Sequence, residues 1–221
     1  MSSEDPNPED QHKVWHTPSG KPYMLIKTSS PVPIYLTEFY LTDASAAQST
    51  ASLPAIYLSL ISIPVPYTLA DAESWINLQL TGTSNLPLQV LRSGDPETGR
   101  FIGCVSLMPT GSEALRAMKE KINLAAKGHA VNECELGYYL HPDWRGKGIM
   151  RNAVRALIWW GIEEMGVEKV VVTVLEKNLE SKAVVESLVE FVRVEERDQW
   201  VDWPEIKGGG RRRLMAWRWM G

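Results

Sequence analysis

The chain has 221 residues, 44% of them hydrophobic and 23% charged, an ordinary balance for a globular protein with one good-sized core, and collagen-like, coiled-coil and wholly disordered chains are excluded. With 23 Lys and Arg against 27 Asp and Glu, the formal net charge is −4, so no global basic field points to nucleic acid as a partner. The two cysteines, Cys104 and Cys134, sit in no CxxC or Cys/His cluster, and neither a disulfide framework nor a bound metal is expected.

No apolar run approaches the roughly 20 residues that span a bilayer, and the first residues, Met1 to Asp10, are acidic and Pro-rich, the wrong chemistry for a targeting peptide. The expectation is a reduced, cytoplasmic protein with no membrane partner. Residues 1–20 read as a mobile polar tail, leaving residues 21–221 as a single domain. Prolines at 31 and 33 forbid a helix early in it. The small and apolar residues from Thr42 to Ile63 predict one or two short helices, stopped by Pro64-Val65-Pro66. Thr68 is then a candidate N-cap with Asp71 in the first turn, and apolar residues recur at helical spacing as far as Gly82.

Leu86 to Leu91 and Arg100 to Leu107 read as a hairpin around the turn-rich 93–99 stretch. Residues 112–126 predict a short amphipathic helix or an exposed excursion, and Cys134 to Leu140 a strand. The clearest helix runs from the Gly146/Gly148 turn to Gly166, with Met150, Ala153, Val154, Leu157, Ile158 and Gly161 on one side. Lys169 to Leu175 is nearly all β-branched, as in a strand buried on both faces. A helix over 180–189 and strands near 191–197 and 212–219 complete the chain. Strand and helix alternate, which predicts an α/β fold: a mixed sheet with flanking helices.

The informative stretch is ELGYYLHPDWRGKGIM, Glu135 to Met150. A strand feeds a turn holding two glycines, and a helix starts directly after it. The first N–H groups of that helix lack internal partners and sit at the positive end of its dipole, so the turn is an anion cradle in physical terms. Arg145, Lys147 and Arg151 crowd the same end, where the dipole disfavours cations by about 0.3–1 kcal/mol each; an anion in the turn makes sense of them. The stretch lacks GxxxxGK[ST] and the third glycine of GxGxxG, so it is neither a Walker A loop nor a dinucleotide fingerprint.

Arg145-Gly146-Lys147-Gly148-Ile149 resembles motif A of the GNAT superfamily of acyl-CoA N-acyltransferases, and Met150 after it is similar to the RimJ/RimL-type branch, as are Pro66-Tyr67-Thr68 to Trp75-Ile76 and Asn178 to Val184. The resemblance implies a GNAT-like fold, in which two central parallel strands splay and the pantetheine arm of acetyl-CoA lies between them. It implies cofactor contacts from Tyr139, Leu140, His141, Arg145, Gly146, Lys147, Gly148, Ile149, Met150, Arg151 and Asn178. It also implies an amine acceptor as the second partner, taken as a small molecule or a protein N-terminus, on a monomer or homodimer. Ser181 is the expected proton donor to the departing sulfur, because no tyrosine lies between residues 176 and 190. Glu135 is the first choice as base, with Asp202 a second acidic candidate. The competing reading is a non-catalytic acyl-CoA-binding module. Trp200 and Trp203 are expected to pack rather than to line a pocket.

Overall fold

A computed structural model describes residues 13–81, 88–110 and 133–221. The helix expected over 112–126 and the first residues of the hairpin from Leu86 lie outside the described residues.

The strands are β1 (Trp15–His16), β2 (Pro22–Ile26), β3 (Ile34–Thr37), β4 (Val90–Ser93), β5 (Arg100–Pro109), β6 (Glu133–Leu140), β7 (Lys169–Leu175), β8 (Phe191–Arg193), β9 (Gln199–Asp202) and β10 (Arg211–Trp219). They form one sheet in the order β1-β2-β3-β4-β5-β6-β7-β10-β8, with β9 also on β10. Every pairing is antiparallel except β6 with β7. Trp15 and His16, inside the stretch expected as tail, pair with Tyr23 and Pro22. Strand β9 falls where no strand was expected; Asp198 and a 3-10 turn at Glu195–Arg197 separate it from β8.

The helices are α1 (Ala44–Ala51), α2 (Pro54–Tyr57), α3 (Leu69–Thr81), α4 (Ile149–Met165) and α5 (Leu179–Glu186). The α3 start is the expected capping arrangement: the Asp71 N–H donates to Thr68 Oγ1 at 3.2 Å and the Thr68 N–H to Asp71 Oδ2 at 2.8 Å, satisfying donors that would otherwise face water alone. Gly166 closes α4 in the left-handed region at φ 62°, as its position predicted.

The two faces of the sheet are dressed differently. Leu136, Leu140, Val170, Val172 and Val174 pack with Ile149, Ala153, Val154 and Leu157 of α4. On the other face Tyr139 packs with Phe39, Ala44, Ala72, Ile76 and Cys104 against α1 and α3. Because side chains alternate along a strand, Tyr138 shares the α4 face of β6, and Glu135 shares the α1/α3 face with Tyr139. Nothing among the described helices is long and apolar enough to cross a membrane.

Candidate active site

Strands β6 and β7 pair only at Glu133–Lys169, Cys134–Val170 and Glu135–Val171. Past that point they part. The space between them is a cavity of about 480 Å³, lined by residues 136–140 of β6, 172–175 of β7, the glycine turn, one side of α5, and Ala55, Ile56, Ser59 and Leu60.

Hydrogen-bond phase decides which backbone groups face this gap. On β6 the Thr110 N–H donates to Glu133 O and the His141 N–H to Ile102 O, each at 2.8 Å, with Ser106 opposite Gly137 and Cys104 opposite Tyr139. In an antiparallel pair the hydrogen-bonded positions alternate, so odd-numbered residues of β6 turn their N–H and C=O toward β5. The backbone groups of Leu136, Tyr138 and Leu140 therefore face the gap. On β7 the bond from Glu176 N–H to Arg213 O, at 3.0 Å, directs Val172 and Val174 toward β10 and Thr173 toward the gap by the same rule. By this phase the Tyr139 backbone is turned to β5, although Tyr139 also borders the cavity, and the His141 N–H is given to Ile102. The His141 side chain accepts from the Asp143 N–H at 3.3 Å, a turn-packing role. Leu140 stays at the gap, and Tyr138 takes the place of Tyr139.

The glycine turn leads straight from that strand into α4. Gly146 and Gly148 adopt φ 75° and 71°, a region costly to any residue with a Cβ. Gly148 is the N-cap and supplies no side-chain cap, so the first N–H groups of this 17-residue helix are offered to the cavity that Gly146, Gly148, Ile149, Met150 and Arg151 line. The Lys147 carbonyl is turned outward, accepting from the Ser29 N–H at 3.2 Å.

The three flanking cations have different partners. Arg145 spends its guanidinium on Leu140 O (3.3 Å), Glu180 Oε1 (3.2 Å) and Ala55 O (3.0 Å). Lys147 donates to Asp143 O at 2.5 Å and lies over the Trp144 ring. Arg145 and Arg151 both line the cavity, and of the three cations Arg151 alone makes no hydrogen bond or ion pair to another described residue. Two of the three cations thus build the turn.

Asn178 caps α5, its Oδ1 accepting from the Ser181 N–H at 3.1 Å, and it also borders the cavity. Ser181 lies one turn in, and its Oγ is 2.7 Å from the Tyr138 hydroxyl, which is also 3.2 Å from the Ser181 carbonyl. Burial pushes the Tyr138 phenol up to about 12, against the opposing pull of Ser181, so it keeps its proton at neutral pH. A phenol is thus brought to α5 from the strand rather than from the helix itself. Sequence reasoning missed Tyr138; the one available signal was the alternation in Gly137-Tyr138-Tyr139, which puts one of the two tyrosines on the α5 side.

Glu135 stands at the last paired position of β6, and Thr173 Oγ1 donates to its Oε1 at a long 3.5 Å. Thr173 lines the cavity; Glu135 is set just behind it, on the face opposite Tyr138 and Ser181. Asp202 is exposed on β9, outside the cavity lining, and is not brought to the other candidates. Its neighbour Asp198 is structural. Burial works to raise that carboxyl, but hydrogen bonds from Arg193, the Ala216 N–H and Arg213 outweigh it and hold it below the usual carboxylate range. Trp203 is 3% exposed, packed with Leu175, Val201 and Leu214 as expected, whereas Trp200 is 57% exposed.

A gap edged by strand N–H and C=O groups, ending at an uncapped helix N-terminus, fits an extended amide-bearing chain with a diphosphate at one end. That is the chemistry of acetyl-CoA. The sequence pattern of the acetyltransferase (GNAT) domain matches residues 34–188. Among solved structures, RimJ of Mycobacterium smegmatis in complex with CoA-disulfide superposes with a TM-score of 0.64 at 14% identity, covering 89% of this chain and 85% of that chain. The ribosomal-protein-S5-alanine acetyltransferase of Vibrio fischeri gives 0.56 at 16% identity, over 85% and 92%. The microcin C7 self-immunity acetyltransferase MccE, solved with acetyl-CoA and AMP, gives 0.58 at 20% identity, also over 85% and 92%. At these identities the likeness to the solved structures is one of fold. The domain match spans well over half of the sequence, and this chain belongs to the GNAT family of acetyl-CoA-dependent acetyltransferases.

Proposed function

We propose that this protein transfers an acetyl group from acetyl-CoA directly to a primary amine, of a small molecule or a protein N-terminus, with both substrates bound at once. The observation that carries the reading is the Tyr138–Ser181 pair beside the gap, with Glu135 on the opposite face of the same strand. Acyl transfer needs a proton acceptor on the amine side of the carbonyl and a donor on the sulfur side. In this reading Glu135 is the acceptor on one face of β6, and Ser181 of α5, backed by Tyr138, is the donor on the other.

In this reading the N–H groups at the start of α4, with Arg151, hold the diphosphate. The backbone of Leu136, Tyr138 and Leu140 aligns the pantetheine arm, and Asn178 stands near it. The amine nitrogen attacks the thioester carbonyl, forming the C–N bond; its proton passes to Glu135, directly or through one water. As the C–S bond breaks, Ser181 Oγ–H donates a hydrogen bond to the sulfur, and Tyr138, which retains its own proton, donates to Ser181 Oγ. Positioning of two substrates supplies much of the rate.

Direct transfer is favoured over a cysteine acyl-enzyme. Burial pushes the Cys104 and Cys134 thiols up to about 12 and 11, both stay protonated at neutral pH, and neither lines the cavity. The test is thiol release from acetyl-CoA across polyamines, amino acids, aminoglycosides and N-terminal peptides. Turnover with one class establishes the reaction and the acceptor together. CoA binding with no turnover on any of them is the result of a non-catalytic module.

A further inference from the structure

Lys207 is a buried cation that the chemistry above does not use. It is 3% exposed, yet no carboxylate within ion-pairing distance compensates it among the described residues. Its Nζ donates instead to three backbone carbonyls of one loop: Leu60 at 2.5 Å, Ile61 at 3.1 Å, and Ile63. A buried ammonium is costly unless its donors are met, and here three donors meet three acceptors.

Both ends of this contact are informative. Lys207 closes a 3-10 turn, Glu205–Lys207, at the tip joining β9 to β10. That tip is braced: the Lys207 carbonyl accepts from Arg212 Nη2 at 3.0 Å, and the Arg212 guanidinium lies 4.8 Å from the Trp203 ring. The loop at the other end supplies Ser59 and Leu60 to the cavity wall. Its Ile61 packs on Leu175 and Trp203, on the sheet face that also carries Thr173 and Glu135. The loop therefore lies over the side of the cavity opposite α4, where the amine enters in the reading above.

We propose that Lys207 is a positioning residue that bolts residues 58–63 down as a fixed roof over the acceptor side of the cavity, shaping amine access and keeping water from the thioester. The first half of this stands on the carbonyl cage alone; the second rests on the acetyl-transfer reading. The contact is local to two loops, whereas the cofactor side is built from β6, α4 and α5, so the two are separable.

The experiment compares the full-length wild type with Lys207→Met, which keeps the length of the stem and removes the donors. Three quantities are read: amide hydrogen exchange of residues 58–64, acetyl-CoA affinity by calorimetry, and thiol release from acetyl-CoA in water without any amine. The bolt predicts at least about tenfold faster exchange confined to 58–64, acetyl-CoA affinity within about twofold, and amine-independent thiol release raised about threefold or more. Unchanged exchange at 58–64, or acceleration spread equally through β7 and β10, overturns the bolt. Faster local exchange with unchanged thiol release overturns the roof. If Lys207→Met does not fold, the wild type decides: 58–64 must exchange more slowly than the β2–β3 loop, residues 27–33, and equal rates overturn the bolt. Failure of the wild type to bind acetyl-CoA removes the acetyl-transfer reading and leaves the exchange result standing by itself.

Discussion

Replacing Tyr138 by Phe removes one hydroxyl and little else. In the fold that hydroxyl is 2.7 Å from Ser181 Oγ and 3.2 Å from the Ser181 carbonyl, and it remains protonated because burial pushes its ionisation to about 12. A neutral hydrogen bond of this kind contributes about 1 kcal/mol to stability, and about 1.5–3 kcal/mol when a charge develops at the far end. Only the difference between those values, of order 1 kcal/mol, acts on the chemical step. Tyr138→Phe should therefore lower kcat about five- to tenfold and thermal stability by about 1 kcal/mol, with acetyl-CoA affinity within about twofold. Ser181→Ala, which removes the group facing the sulfur, should cost about a hundredfold in kcat. Because Tyr138 works through Ser181, the double variant should be no worse than Ser181→Ala alone. Thiol-release kinetics on the four proteins read this cycle directly. Additive losses in the double variant, or a Tyr138→Phe effect confined to KM for acetyl-CoA, would refute the coupling.

The remaining predictions concern the base, the cradle and alkaline stability. Glu135→Gln should lower kcat about a hundredfold without altering acetyl-CoA affinity, whereas Asp202→Asn, at an exposed position of β9, should stay within about twofold of wild type in the same assay. Gly148→Ala forces a Cβ onto φ 71°, so it should cost about 1 kcal/mol of stability and weaken CoA binding about tenfold by calorimetry, because the amides it disturbs are the cradle. Burial holds the Cys104, Cys134, Tyr67 and Tyr138 protons to about 12, 11, 12 and 12, against 9.0 for the thiols and 10.0 for the phenols when exposed. The unfolded chain then binds fewer protons than the folded one above pH 9, so stability falls as pH rises. Lys207, which burial pulls down to about 8 from 10.5, acts with the opposite sign between those values, one group against four. Urea unfolding should show more than about 2 kcal/mol lost between pH 9 and 11; a flat or rising profile would contradict the burial of these groups.

Features carried by local chemistry were legible in the sequence. Thr68 and Asp71 cap α3, Gly166 ends α4, and the Gly146/Gly148 turn opens it, because each is decided by backbone groups within a few residues. The motifs from Pro66 to Val184 resemble the family whose domain pattern matches residues 34–188. What stayed hidden depends on register between strands. The alternation of hydrogen bonds to β5 turns the Tyr138 and Leu140 backbones to the gap and Tyr139 away from it, and no composition or spacing within β6 reveals that phase. Tyr138 and Ser181 lie 43 residues apart, so a helix lacking tyrosine looked as though it lacked a phenol. Arg145 looks like an anion ligand from spacing, yet two of its partners, Ala55 and Glu180, are met only in three dimensions. Lys207 meets its carbonyl partners only once the 58–63 loop folds over it.

Direct acetyl transfer is tested most directly by mixing the enzyme with acetyl-CoA, first alone and then with the amine that gives the fastest thiol release, and weighing both protein and amine by mass spectrometry within a single turnover. The account predicts that the protein mass never changes and that the amine gains the mass of one acetyl group as thiol appears. An acetylated protein that forms before the amine is added and then discharges onto it would contradict direct transfer, and acetyl-CoA that binds yet stays intact with every amine would contradict catalysis itself.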